Sequence, residues 1–350
     1  MPDSASLVSG INPDLQHHGR QIHFWDRTPD PLDCGIALPG PLRLCLSLPR
    51  MIFAFATTLL FSFSTVLANR SQRAVGTVHA NLGRLLIGLF FLGAWSFTFG
   101  HLLSGASLSI FLLSGLVGMG VGDIAFFAAL PLLGSRLTIM MMQCLSVPVA
   151  IIVERWWLGT QLLASQLLCS AVILAGIMVA LMPTRKDPPK VKVRGVGVIF
   201  GALAAIGQGV GAVLSRKGFG LAAAAGVPVD GLSAAFPRVV GGFAITLLWY
   251  VLHHQIRRWR VVEAGPTPVS PRPSQYLWVL AHGLAGPVLG MGAFQMALAA
   301  VPSGIVLPIT ATTPLMVIPF AYWMEGERPS KRSLVGGVIA VAGAVALTLQ

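Results

Sequence analysis

The fold class this sequence predicts is an all-α polytopic membrane protein, ten transmembrane helices arranged as two inverted five-helix repeats. Three observations carry that reading. The first is composition: 55% of the 350 residues are hydrophobic, 10% are charged, and the mean hydropathy is +0.77, whereas a soluble domain carries about 25% charged residues. The second is length, since several apolar runs approach the roughly 20 residues that a helix needs to cross a hydrocarbon core. The third is a duplicated frame. Trp156, Gly159 and Gly176 recur 167 positions later as Trp323, Gly326 and Gly343. Gly115, Gly118, Gly122, Ala125 and Phe126 recur at a shift of 168 as Gly283, Gly286, Gly290, Ala293 and Phe294. Composition bias repeats a glycine easily, but not five matches in one register followed by three more.

Taken in order, residues 1–50 differ from all that follows. They hold five of the eight aspartates, several prolines and His17-His18, and no run long enough to span. They lack the basic start and apolar core of a secretory signal. A disordered tail, or sequence upstream of the true start, is the expectation, with Met51 opening the first span. Adjacent histidines without further ligands are a weak pointer to metal.

From Met51 the apolar runs predict helices at 51–68, 82–100, 106–133, 137–154 and 160–182, then 195–215, 233–252, 275–299, 303–323 and 333–349. The first repeat is 51–182 and the second 195–350. Between them, 183–194 (PTRKDPPKVKVR) is basic and proline-containing, unsuited to a span. A longer Arg- and Pro-rich loop, 253–274, explains why the register shift grows: Arg70 matches Arg216 at 146, Arg84 matches Arg238 at 154, and Gly115 matches Gly283 at 168. Five crossings leave the chain on the opposite side, so the second copy enters the membrane upside down. Such inverted repeats enclose a site at their interface near mid-bilayer.

Two five-helix copies with the Gly326-Glu327-Arg328 frame running on to Gly336 and Gly343 resemble EamA-like members of the drug/metabolite transporter superfamily. The resemblance covers about 51–350 and is stronger in the second copy. In the first, Thr160 stands where the acidic Glu327 stands in the second, although Glu154-Arg155 lies shortly before. The resemblance implies a ten-helix secondary carrier or exporter of small metabolites with no ATPase module, and the sequence holds no G-x-x-x-x-G-K-[ST] loop.

Candidate functional residues follow from where the two copies agree and differ. Gly118-x-x-x-Gly122 and Gly286-x-x-x-Gly290 place small residues on one helix face, for static packing or for a sliding seam. The polar residues break the symmetry: Asp123 matches Met291, Gln295 matches Phe127, His282 matches Ser114 and Gln143 matches Ala311. A scaffold copied twice needs like packing positions, while an asymmetric solute needs unlike polar groups. Asp123 reads as the only acidic residue deep in a span, either recognising a cationic group or coupling to protons. His282 is a second titrating candidate. Gln143, Gln208 and Gln295 supply paired donors and acceptors to a polar solute or bridge helices. Trp95, Trp249, Trp278 and Trp323 read as interfacial anchors. The ninth span carries Pro308, Pro314 and Pro319 with Thr310, Thr312 and Thr313 between them, and a bend there would mark a gate or cavity wall. The fourth span has only Pro148. Glu325, Glu327, Arg328, Lys331 and Arg332 suggest a turn capped by ion pairs.

Expected partners are the lipid bilayer, a small polar or amphipathic metabolite and, as coupling ion, protons. No catalytic set, metal site or cofactor is expected. The net charge of +12 suggests nucleic acid, but the Lys and Arg residues read as loop charges that set orientation. Loops after odd-numbered spans hold 16 of them and those after even-numbered spans four. That count puts the odd loops in the cytoplasm and both termini outside, the reverse of the arrangement usual in the resembling family. A bacterial inner membrane is the expected location, as monomer or homodimer. The competing reading is a non-transporting membrane scaffold or sensor with the same fold, and flux in vesicles separates the two. A membrane enzyme is disfavoured, because no clustered His, Asp and Glu set occurs in the spans.

Overall fold

The computed structural model describes residues 40–100, 103–183, 193–259, 275–325 and 330–350, and every regular element among them is helical. Among the described residues, ten stretches are long and apolar enough to cross a membrane. In chain order the helices are α1 Gly40–Val75, α2 Thr77–Thr98, α3 Gly105–Leu133, α4 Ser135–Leu158 and α5 Ala164–Leu181. The second copy supplies α6 Gly195–Ala224, α7 Gly231–Trp259, α8 Tyr276–Ala300, α9 and α10 Lys331–Thr348. Helix α9 is in two pieces, α9a Ser303–Ala311 and α9b Thr313–Glu325. Turns of one or a few residues set several boundaries: Gly134 at φ 81° joins α3 to α4, and Gly159 at φ 72° ends α4 in the left-handed conformation that glycine adopts without strain.

Several boundaries run past the hydropathy reading, and two do so furthest. Helix α1 begins at Gly40, upstream of Met51. Helix α6 continues to Ala224 instead of stopping near 215, because Arg216 and Lys217 are held within it. Arg216 pairs with Glu154, and the Lys217 ammonium lies 3.9 Å from the Trp157 ring centroid. Charges that lower a hydropathy window need not end a helix when they have partners.

The main packing faces join one copy to the other: α5 to α10, α4 to α6, α3 to α6 and α7, α2 to α7 and α8, and α9a to α4. The copies are therefore interleaved around one shared core. Close contacts recur in matched pairs. A Cβ added to Gly122 would lie 3.5 Å from Gly207 Cα, and at the matching positions one added to Gly290 would lie 2.7 Å from the Phe61 ring. One added to Gly176 would lie 2.6 Å from Ala340 N, and its counterpart on Gly343 would lie 3.1 Å from Ile173 N. A two-fold relation between the copies produces such reciprocity.

The third and eighth spans are each interrupted. Leu116–Val121 in α3 and Leu284–Gly290 in α8 are π-helical, and they start 168 positions apart, in the register of the glycine frame. In the second, Pro287 removes a backbone donor. The wider π turn is a rare feature that concentrates at functional sites.

The proline-rich ninth span is interrupted at one place only. Pro148, Pro308 and Pro319, expected to break their helices, lie inside continuous α4, α9a and α9b. The interruption falls at Thr312, beside Pro314, and hydroxyls serve the carbonyls there. Thr312 Oγ1 donates to Ile309 O at 2.6 Å and Thr313 Oγ1 to Thr310 O at 2.6 Å. From α1, Thr58 donates to Ile309 O at 3.2 Å and Ser62 to Thr313 O at 3.0 Å. A proline bends a helix only where its lost bond is not absorbed locally, and these hydroxyls hold the break in place.

Candidate functional site

Charged side chains sit inside the helix bundle at two places. The first is near mid-span. Arg84 on α2 donates from Nη2 to Asp123 Oδ2 on α3 at 3.2 Å, and its Nε donates to Asn81 Oδ1 at 2.7 Å. Asp123 lies ten residues before the Leu133 end of α3, about 15 Å at 1.5 Å per residue. Arg84 lies seven residues into α2, about 10 Å. Their side chains keep 30% and 18% of their surface exposed. The Asp123 carboxylate is thus already held by a cation, which removes the ground for reading it as the receptor of a cationic solute.

Arg238 on α7, the counterpart of Arg84 in the second copy, lies within electrostatic reach of Asp123 and is 1% exposed. Its Nη1 donates to Ser215 Oγ at 2.7 Å and Gly211 O at 3.3 Å. Ser114 Oγ completes the group, donating to Gly211 O at 2.6 Å and lying 2.9 Å from Ser215 Oγ. The guanidinium sits 5.4 Å from the centroid of Phe294. Arg84 and Arg238 were both expected to be loop charges. They lie inside the bundle because each finds acceptors there.

The second place is near the other end of the bundle. Glu154 on α4 is 2% exposed, so Asp123 is not the only carboxylate within the spans. Glu154 Oε1 accepts from Arg216 Nε at 3.2 Å and from Thr160 Oγ1 at 3.3 Å. Glu154 Oε2 accepts from the Ser303 amide at 2.8 Å and from the Ser303 hydroxyl. Arg216 Nη1 also donates to Leu298 O at 3.0 Å. One buried carboxylate thereby joins the ends of α4, α6, α8 and α9a, and satisfies an amide at the start of α9a that its own helix leaves unpaired.

The other expected site residues are dispersed. His282 is buried, with Nδ1 3.2 Å from Ser71 Oγ, and its carbonyl accepts from Ser64 at 3.4 Å, so it joins α8 to α1. Gln295 is fully buried; its Nε2 donates to Ala234 O at 3.4 Å, and its Oε1 has no partner among the described residues. Gln143 and Gln208 are half-buried on α4 and α6. Thr310 and Thr313 are buried at the α9 break. Gly118 and Gly122 pack against Gly211 and Gly207 of α6, and Gly286 and Gly290 against Ser64 and Phe61 of α1. Glu327 and Arg328 lie outside the described residues. An open apolar groove of about 460 Å³ between α9b and α10, lined by Leu315, Ile318, Val338 and Val341 among others, holds none of the expected polar residues. Among the described residues no group of three His, Cys, Asp or Glu is placed to hold a metal.

Arg84, Arg238, Glu154 and Arg216 were not identified from the sequence as site residues. A signal for two of them was present, since Arg84 and Arg238 match in the repeat register. An arginine kept within a span by both copies is not a loop charge.

The family model described as EamA-like transporter family matches residues 48–182 and 195–349, one match for each copy. Among curated proteins no relative matches the chain. A solved structure described only as a crystal structure of a protein is 18% identical, with a TM-score of 0.66 over 85% of this chain and 96% of its own. That likeness concerns the fold alone.

Proposed function

The chain belongs to the EamA-like transporter family, and from that premise we propose that it is a secondary carrier of small polar or amphipathic metabolites, working by alternating access between its two repeats. Family membership makes it an integral membrane transporter of the drug/metabolite type. The observation that carries the finer reading is the contrast between the two charged groups. The Arg84–Asp123 pair lies about 10–15 Å from the helix ends, yet keeps 18% and 30% exposure. Charges at that depth are tolerated against protein or water, not lipid, and we read the exposure of this pair as access for water from the end where α1 joins α2 and α3 joins α4. At the opposite end the Glu154 carboxylate is sealed at 3% exposure and fastens four helices together. On this reading, a wetted end and a latched end make one half of an alternating-access cycle. Protons are the coupling ion this reading favours, with Asp123 the carboxyl that would carry them.

The test is flux into proteoliposomes, with and without an imposed proton gradient, across a panel of amino acids, carboxylic acids and amines. Saturable, gradient-driven movement of one solute class is expected, with Asp123→Asn lowering the gradient-driven rate about tenfold or more. If no solute class moves above empty liposomes, the carrier reading fails. If Asp123→Asn leaves the gradient dependence intact, proton coupling through that residue fails.

A further inference from the structure

Arg238 is almost completely buried, and among the described residues it bonds no carboxylate. Its Nη1 is committed to the Gly211 carbonyl and the Ser215 hydroxyl. Its Nε has no partner among the described residues. Its Nη2 lies close to Gly118, where an added Cβ would come within 3.1 Å of it. The Nε–Nη2 edge of the guanidinium is therefore the uncommitted one. That edge takes both oxygens of a carboxylate side by side. The repeat sharpens the point. Arg84 has Asp123 to pair with, but the position matching Asp123 in the second copy is Met291, which is buried and apolar. Around Asp123 there are thus two arginines and one carboxylate, a local surplus of one positive charge in a region where charges persist only when paired or well bonded.

We infer that Arg238 is the anion-recognition residue of this transporter, and that the carried solute bears a carboxylate that bonds side-on to Nε and Nη2. This rests on the carrier reading and adds the substrate class to it. Phe294 lies 5.4 Å from the guanidinium and stands at 6.3 Å, tilted, against Phe61. The apolar part of an amphipathic carboxylate has these rings beside it. In the structure described here Arg238 is enclosed, so the solute reaches it as the contact of α7 with α3 loosens. Gly118 and the π turn around it are the elements that must move.

The test uses the full-length purified chain and three matched probes: butyrate, butyramide and butylammonium. Thermal stabilisation is measured against concentration. Butyrate is expected to stabilise saturably, and the neutral and cationic probes are not. Arg238→Gln should weaken the butyrate response about tenfold or more, and Arg238→Lys, which keeps the charge but loses the fork, should fall between. Should Arg238→Gln not fold, Gly118→Ala leaves the arginine in place and crowds its Nη2, and the same weakening is expected. Equal stabilisation by butyramide or butylammonium, or an undiminished butyrate response in the folded variants, overturns the inference. Counterflow of the same probes in proteoliposomes separates the two claims. Anion binding without flux of any probe upholds the site and sinks the carrier reading. Flux of a neutral or cationic probe without anion selectivity does the reverse.

Discussion

Single residues in this protein act through what they join. Asp230, just outside the membrane-spanning part of α7, shows this most simply. Its Oδ1 accepts from the amides of Leu232 at 2.9 Å and Ser233 at 3.0 Å, capping α7, and from Trp95 Nε1 of α2 at 3.1 Å; its Oδ2 accepts from the Ser233 hydroxyl at 2.5 Å. Partial burial pushes this carboxyl upward, but the hydrogen bonds from Ser233, Trp95 and Leu232 outweigh it and hold the pKa below the ordinary 3.8. The bonded carboxylate exists in the folded chain and not in the unfolded one. Its stabilisation is therefore complete above the ordinary aspartate value and is lost as pH falls through the lowered folded value. Asp230→Ala should cost about 1 kcal/mol near neutral pH. Unfolding measured from pH 7 downward should show the difference from wild type shrinking below about pH 4. Most such joins were illegible in the sequence. Ser303 meets Glu154 across 149 positions, and in helices apolar almost all round periodicity does not say which polar residue turns inward. Asp123 stood out because an acid within a span is costly; its partner Arg84, at the start of the second predicted span, was counted with the loop charges.

Among the elements, what matters is how closely backbones approach. Helices α5 and α10 pack through Gly176 and Gly336: a Cβ on Gly336 would lie 2.6 Å from Ala180 N, and one on Gly176 would lie 2.7 Å from Gly336 O. Backbone cannot yield as a flexible side chain can. Gly336→Val should destabilise by about 1–3 kcal/mol. Gly220, on the exposed side of α6, has nothing within 4 Å of a built Cβ. Gly220→Ala should be neutral or stabilising by up to about 1 kcal/mol. Thermal unfolding in one detergent, run on both variants, checks the pair; equal losses would mean that glycine serves something other than close packing. The existence of these helices was legible, because hydropathy is a local property. The π turns were not, since a glycine frame fits an α turn equally well. The prolines misled for a related reason: sequence marks where a donor is missing, but only neighbours decide whether the helix bends.

At the scale of the whole molecule, the repeat was the most informative feature of the sequence, and the reciprocal contacts of the fold follow it. It also marks where symmetry fails. Gly122 meets Gly207 backbone to backbone, while the matching place between α8 and α1 is filled by the Phe61 ring. Arg84 has an acid and Arg238 has none among the described residues. One seam is tight and one is propped, and the functional groups collect at these differences. Hydropathy could count the crossings, but not show that nearly every large face would join opposite copies. That interleaving has a consequence for assembly. The bonds that matter most run between the halves, not along the chain joining them, so the peptide link between α5 and α6 should be dispensable. Two genes, one stopping after Pro183 and one restarting at Val193 behind a new initiator, should yield polypeptides that find each other in the bilayer and co-purify through a tag on either one. Neither half, produced by itself, should survive quality control.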